Sequence, residues 1–328
     1  MSSSYISSLN DASKQITIYV GIPTLIAGVL GGLLNTIVFL SLRTFRESPC
    51  AFYLTIMSIV NVGQMITGLL ARILTSGFNI DWSLTSLFYC KFRLYCFQVC
   101  ALISMTCICL AIIDQYLITC SPQRWQQWSN MTIARCLSAI FILIWILHTI
   151  PYLIYYNHVI SNTTGKVTCI VTNNTFQQYV TFGLIFIIGK LLPICMTFFF
   201  GILAYRNLRQ MSHQALPIVR RELDKQLTVM VLVLVVCAFF MNMPYTIVYL
   251  LTAMPQLTQN SIIAAQLQFA SNVTTYLVYM YFASPFYIFL CVSDRFRRQL
   301  IYVLFDVYLN KWRQQRQTLV NKVKPQLT

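Results

Sequence analysis

Acidic residues are scarce in this chain of 328 residues: Asp and Glu number 8, and charged residues of all kinds make up 9%. Soluble domains carry about 25%. With 57% hydrophobic residues, such a chain cannot cover a water-facing surface. That excludes a soluble globular fold and points to residence in a membrane. Histidine is scarcer still, and the three present (His148, His158 and His213) do not converge on one segment. An intramembrane enzyme needs a nucleophile beside a base, or clustered acids and histidines, so no catalytic activity is expected. Glycine, at 11 residues, is too sparse for the paired helix breaks of a transporter built from repeats, and the two halves show no symmetry. A transporter stays as the rival of another class. No cysteine pair has zinc-ligand spacing, so no metal site is assigned. Most of the 12 cysteines, among them Cys100, Cys107, Cys109, Cys195 and Cys237, lie in apolar runs, where they act as small hydrophobes. The opening MSSSYISSLNDASKQ has no basic stretch leading into a short apolar core. It does not read as a cleavable signal peptide, and the first apolar run is expected to serve as its own insertion signal.

What the chain has instead is length without charge. Seven apolar runs lie at roughly 17–42, 50–75, 86–118, 132–156, 177–206, 223–253 and 261–291. Each reaches the ~20 residues a helix needs to cross the hydrocarbon core, and helix is the expected state because lipid offers no partner to an open strand edge. Turn-rich breaks such as RTFRESP, TSGFNIDWS and RQMSHQALP separate them, and none is long enough for a further domain. Of the 23 Lys and Arg, six (Lys14, Arg72, Lys91, Arg93, Lys166 and Lys190) fall within runs or in one alternating set of segments, and 17 fall in the other set. That bias predicts an outside N-terminus (1–16), a membrane domain over 17–291 and a cytoplasmic end (292–328). The basic excess of +15 is then orientation signal and headgroup contact, with no nucleic-acid partner. The sequons at Asn162 and Asn173 fall in an outer loop, where glycosylation can occur, and a third at Asn130 falls inside. After the last run, Phe296, Leu300, Leu304 and Tyr308 recur every fourth position among Arg295, Arg297 and Arg298. This pattern predicts a helix lying in the inner headgroup plane.

Landmark residues recur along these runs in a set order. The first carries GGLLNT with Asn35, and the third starts near Cys90 and ends in DQY, Asp114-Gln115-Tyr116. Cys90 stands 25 positions before Gln115. The fourth has Trp145 with Pro151 following, the fifth Pro193, the sixth Pro244 in FFMNMPY and the seventh Pro285 in ASPFYIF, with Phe296 beyond. This ordered set resembles the rhodopsin-like (class A) G-protein-coupled receptors over nearly the whole chain. The resemblance implies an all-α bundle of seven transmembrane helices with a C-terminal amphipathic surface helix, at the plasma membrane. It implies no cofactor, an extracellular ligand, and a heterotrimeric G protein as partner. It also implies a disulfide between Cys90 and Cys169, the two cysteines expected in or beside outer loops, where the medium is oxidising.

Departures from the family are as informative. Asn61, in MSIVNVG, stands where the family has a central aspartate. With Ser104 and Ser284 it offers neutral oxygens, so no strong sodium site is expected. NPxxY reads SPFYI, with Ser284 for asparagine, and CWxP reads MNMP, with Asn242 for tryptophan. Gln115 replaces the arginine that pairs with the preceding acid and meets the G protein. Its amide can hydrogen-bond but carries no charge. The family's acid at the base of the sixth helix is present as Asp224, 20 residues before Pro244, and a Gln115–Asp224 hydrogen bond is expected to hold the inactive state. A non-signalling or decoy receptor is the alternative this substitution leaves open.

On the ligand side, the family position for an amine-pairing acid is Phe97, and that for a retinal lysine is Val278. Neither a monoamine nor retinal fits. Arg72 and Arg93 near the outer ends of spans are ligand contacts or snorkel to headgroups. Lys190, three before Pro193, lies deep in the fifth run, where the family places it beside Asn242. It is either a contact for an anionic ligand or a polar clamp on Asn242. Phe97, Gln98, Tyr276 and Tyr279 complete the candidate pocket. A peptide ligand, of the kind neuropeptide receptors take, is the expectation, with activation by an outward swing of the sixth helix about Pro244.

Overall fold

The computed structural model describes residues 2–120, 122–160, 167–210, 218–254, 257 and 259–305, with side chains described for these except 2, 3, 123, 210 and 218–224. Six helices are long and apolar enough to cross a membrane: Ser4–Ser41, Pro49–Gly77, Leu87–Thr119, Met131–Tyr155, Asn174–Arg209 and Lys225–Thr252. A bent pair, Ser261–Ala283 and Pro285–Val292, makes the seventh span, with 55° between its halves. The chain is a seven-helix, multi-pass membrane protein. Several helices start at residues whose side chains close the first turn. Ser86, Asn130, Asn260 and Ser293 accept from the backbone N–H of Tyr89, Ile133, Ile262 and Phe296. Ser48 does the same for Ala51, with Pro49 in the first turn, where its missing N–H costs nothing.

The second and third spans form the centre: 56% of each one's most apolar window is buried, against 17% in the fourth and fifth. Leu143, Leu147, Phe199 and Phe240 point outward, as lipid-facing side chains do. Lipid removes the hydrophobic drive between helices, so close packing has to supply the contact. Glycines of the first span serve that end: a Cβ on Gly32 would meet Val62 Cγ2 at 2.5 Å.

Three departures from straight α-helix matter for the site. The fifth span winds with wider i→i+5 turns over Tyr179–Leu191, where the Leu192 N–H reaches Ile187 O. Pro193, next in line, has no N–H to continue the α pattern. The second span loosens likewise over Met65–Leu70 and Ile73–Gly77. The seventh breaks at Ser284, before Pro285.

Two segments differ from the sequence reading. The polar opening is helical over Ser2–Tyr19 and leads through Val20 into Gly21–Ser41, so residues 16 and 17 mark no structural boundary. Neighbouring spans satisfy it: Asn272 Nδ2 donates to Ser13 O (3.1 Å) and Gln266 Nε2 to Tyr5 Oη (3.3 Å), while Ile18 packs on Gly77. The fourth span ends at Tyr155, one residue short of the expected end. Tyr156 opens strand β1 (Tyr156–Ile160), which pairs antiparallel with β2 (Val167–Val171) in the register His158↔Cys169. Asn162 and Tyr308 lie outside the described residues. Asn173 is exposed, and its Oδ1 caps the helix of Asn174–Gln178.

The surface helix forms over Asp294–Tyr302. Its anchor is Phe296, fully buried, whose ring lies 5.9 to 6.1 Å from those of Phe39, Phe286 and Phe289. Arg297 pairs with Asp294 and donates to Leu290 O and Cys291 O, satisfying carbonyls at the end of the seventh span.

Candidate functional site

The hairpin is fixed to the bundle by a disulfide between Cys90 and Cys169 and by His158 Nε2 at 2.7 Å from Ser83 O. Phe97 lies seven residues further along the third span, about 10 Å of helix from Cys90. There a cavity of about 100 Å³ opens between spans two, three, five, six and seven. Of the expected pocket residues, Phe97, Gln98, Lys190 and Tyr279 line it, joined by Gln64, Tyr245 and apolar side chains such as Leu102, Met105 and Phe282. Gly68 lets two of these side chains pack directly against the second span. A Cβ there would stand 2.5 Å from the Phe97 ring and 2.8 Å from Tyr279 Oη.

Lys190 is the one charged side chain in that wall. The wide turns of the fifth span carry it, and its ammonium donates to Asn242 Oδ1. Its Nζ also lies 5.8 Å from the Tyr245 ring centroid, within cation–π range. A second cavity of about 30 Å³, lined by Pro193, Val235, Ala238 and Asn242 among others, shares Lys190 with the first. Asn242 belongs to this second wall. Its Nδ2 donates to Ala238 O (2.8 Å), and its own carbonyl accepts from Thr246 Oγ1 (3.0 Å). Lys190 is thus what joins Asn242 to another span.

Three expected contacts stand outside both walls. Arg72 donates through Nε and Nη2 to Asn272 Oδ1 (3.3 and 2.9 Å), linking the second span to the seventh and, through Asn272, to the N-terminal helix. Tyr276 is buried toward the first span, near Gly21. Arg93 has a buried Nε with no hydrogen-bond partner. The hairpin's Tyr156 hydroxyl is pushed up to about 12, chiefly by burial, with the Arg93 charge as an opposing influence.

Midway down, Asn61 fills the family's acid position with both ends used. Its Oδ1 accepts from Ser104 Oγ at 2.6 Å and its Nδ2 donates to Phe282 O at 3.2 Å. That ties spans two, three and seven at the bend. Ser284 turns back to its own helix, donating to Tyr281 O (2.9 Å), and Asn35 Nδ2 reaches Ser58 Oγ at 3.3 Å.

At the basic end Asp114 accepts from Ser129 Oγ (2.6 Å). Gln115, 1% exposed, accepts at Oε1 from Thr228 Oγ1 at 2.6 Å. Thr228 stands one turn along the sixth span from Asp224, and the expected Gln115–Asp224 bond falls on a side chain outside the described residues. Asp224 lies in the helix Ile218–Thr252. Tyr116 stacks at a tilt on Phe200, 5.5 Å between centroids. Pro244 sits inside the sixth helix, 16 residues beyond Thr228. Sequence reasoning missed Gln64, Gly68, Asn272 and Thr228. Gln64 and Thr228 had a signal, being polar residues in apolar runs. Gly68 and Asn272 gain meaning from a neighbour 29 and 200 positions away, which no local pattern carries.

The geometry is that of a bundle with a cavity at one end and a polar tie at the other. A family model described as 7 transmembrane receptor (rhodopsin family) matches residues 33–293. A comparison with curated proteins returned no match. The match spans most of the chain and every landmark from the asparagine of the first span to the end of the seventh, and so the chain belongs to the rhodopsin family of seven-transmembrane receptors.

Proposed function

We propose that this receptor sits in the plasma membrane with its hairpin end outside, binds an extracellular ligand in the cavity beside Lys190, and signals to a heterotrimeric G protein by an outward movement of the sixth span. One observation carries the reading: the sixth span belongs to both ends, with Tyr245 in the cavity wall and Thr228 in the tie to Gln115. A ligand that repositions the span above Pro244 acts on the tie below it. Orientation rests on the lysine and arginine bias and on the disulfide at the hairpin end.

A peptide fits the ligand side best. The cavity of about 100 Å³ is smaller than the roughly 300–1,000 Å³ of drug-sized sites. A peptide would enter by one end and rest its remainder on the hairpin and the Arg93 side of the mouth. No carboxylate lines the cavity to receive an amine, and Val278, also in its wall, has no amine for retinal. Gln115 favours a second reading, a non-signalling receptor, because it lacks the arginine's charge where a G protein would dock. The test is a G-protein dissociation assay on surface-expressed receptor, screening a peptide library against wild type and Gln115→Arg. Response in wild type supports the signalling receptor. Response in Gln115→Arg alone selects the decoy.

A further inference from the structure

The feature the receptor reading leaves unexplained is an ammonium with no counter-ion. Lys190 lies in the walls of both cavities, and neither wall holds an Asp or Glu. An ammonium has three N–H donors. Among the described residues, Lys190 donates a hydrogen bond to Asn242 Oδ1 alone and otherwise faces the Tyr245 ring. A charge in a membrane span that lacks a paired charge is expensive and marks a functional site. A neutral amide oxygen stabilises it less than a carboxylate, whose hydrogen bond is charge-assisted. The rest of the cavity wall is largely apolar, with Leu102, Met105, Ile185, Val278 and Phe282, and Gln64 and Gln98 are neutral. The chemistry that completes this site is one negative group on an apolar stem.

We propose that the ligand of this cavity carries a carboxylate on an apolar stem, and that it acts by drawing the Lys190 ammonium away from Asn242; the proposal rests on the receptor reading above. The lysine's flexible four-carbon stem and the open space of the two cavities it lines give the ammonium room to turn. Asn242 then loses its bond to the fifth span. Its remaining bonds, to Ala238 O and from Thr246 Oγ1, are internal to the sixth. Asn242 stands two residues before Pro244, so the tie broken is the one beside the hinge. Lys190 thus fixes ligand class and loosens the moving helix beside Pro244 in one step. The carboxylate can come from the free end of a peptide or from a small carboxylic acid.

The experiment uses the full chain in lipid nanodiscs and reads the shift in melting temperature as ligand is titrated. The panel holds matched pairs: hexanoic, decanoic and 3-phenylpropanoic acids against their amides, and short apolar peptides with a free C-terminal carboxylate against the same peptides amidated. The expected result is that acids of one arm bind wild type roughly tenfold or more tightly than their amides. Which arm does so identifies the source. That preference disappears in Lys190→Gln, which can still hydrogen-bond Asn242, and persists in Lys190→Arg and in Arg93→Gln. Equal binding of acid and amide overturns the proposal and leaves the receptor reading standing. So does an acid preference that survives Lys190→Gln or follows Arg93. A panel in which no acid shifts the melting temperature at millimolar concentration also overturns it. The receptor reading is judged separately, by the G-protein dissociation assay.

Discussion

At the scale of single residues, neutral groups make the polar contacts at Gln115 and Asn61. Gln115 holds Thr228 through one hydrogen bond of 2.6 Å, and such a bond contributes about 1 kcal/mol net. Thr228→Val removes it while keeping the shape. The receptor's basal open fraction should then rise by about fivefold, read as ligand-independent G-protein dissociation at matched surface expression. An unchanged basal signal would remove this tie from the mechanism. Asn61 makes the same point in mid-bundle, where an amide bridges Ser104 and the Phe282 carbonyl. Wild type should therefore melt at the same temperature in sodium as in potassium, and Asn61→Asp should become sodium-dependent. Sodium stabilisation of the wild type would show instead that these neutral oxygens hold the ion. Gly68 is tested by size: Gly68→Val drives a side chain into Phe97 and Tyr279, with an expected loss of about 1–3 kcal/mol of stability and of ligand binding. Retention of both would show that the cavity wall is softer than described.

At the scale of elements, the spans were legible in the sequence because length and apolarity alone specify a membrane helix. The hairpin was not. Its strands read as the polar tail of a run and a short VTCIV, and their pairing depends on a contact across the loop. The helix of Ser2–Tyr19 was hidden too, since its serines and asparagine predict a tail until Asn272 and Gln266 supply partners from the seventh span. Lys190 and Asn242 were visible as polar residues in apolar runs, but the wide turns that carry Lys190 follow from Pro193 and the packing around it. The hairpin itself is tested through its anchor. A disulfide closing a loop with a sequence separation of 79 typically contributes about 2–5 kcal/mol. Cys169→Ser should lower the melting temperature and abolish ligand binding at the hairpin end, while Cys136→Ser, at an exposed free cysteine, leaves both intact. Equal effects of the two would argue that the bridge has no structural role.

At the scale of the whole molecule, hydrogen bonds tie the sixth span to its neighbours, among them Lys190–Asn242 beside Pro244 and Gln115–Thr228 nearer its cytoplasmic-facing start in the proposed topology. The membrane sets which end meets which partner. With the hairpin outside, Asn173→Gln should remove an endoglycosidase-sensitive gel shift and Asn130→Gln should not; the reverse would invert the topology. In the proposed function the sixth span is the moving part and these ties restrain it. The most direct measurement is a spin-label distance between the exposed positions Arg46→Cys and Lys225→Cys, in a background with the exposed Cys136, Cys195 and Cys291 replaced by serine. The full chain is kept in nanodiscs without ligand. A minor long-distance population is expected that grows in Thr228→Val, grows in Asn242→Leu, and grows most when both are combined. One unchanged distance in all four proteins, each folded by melting temperature, would contradict that expectation.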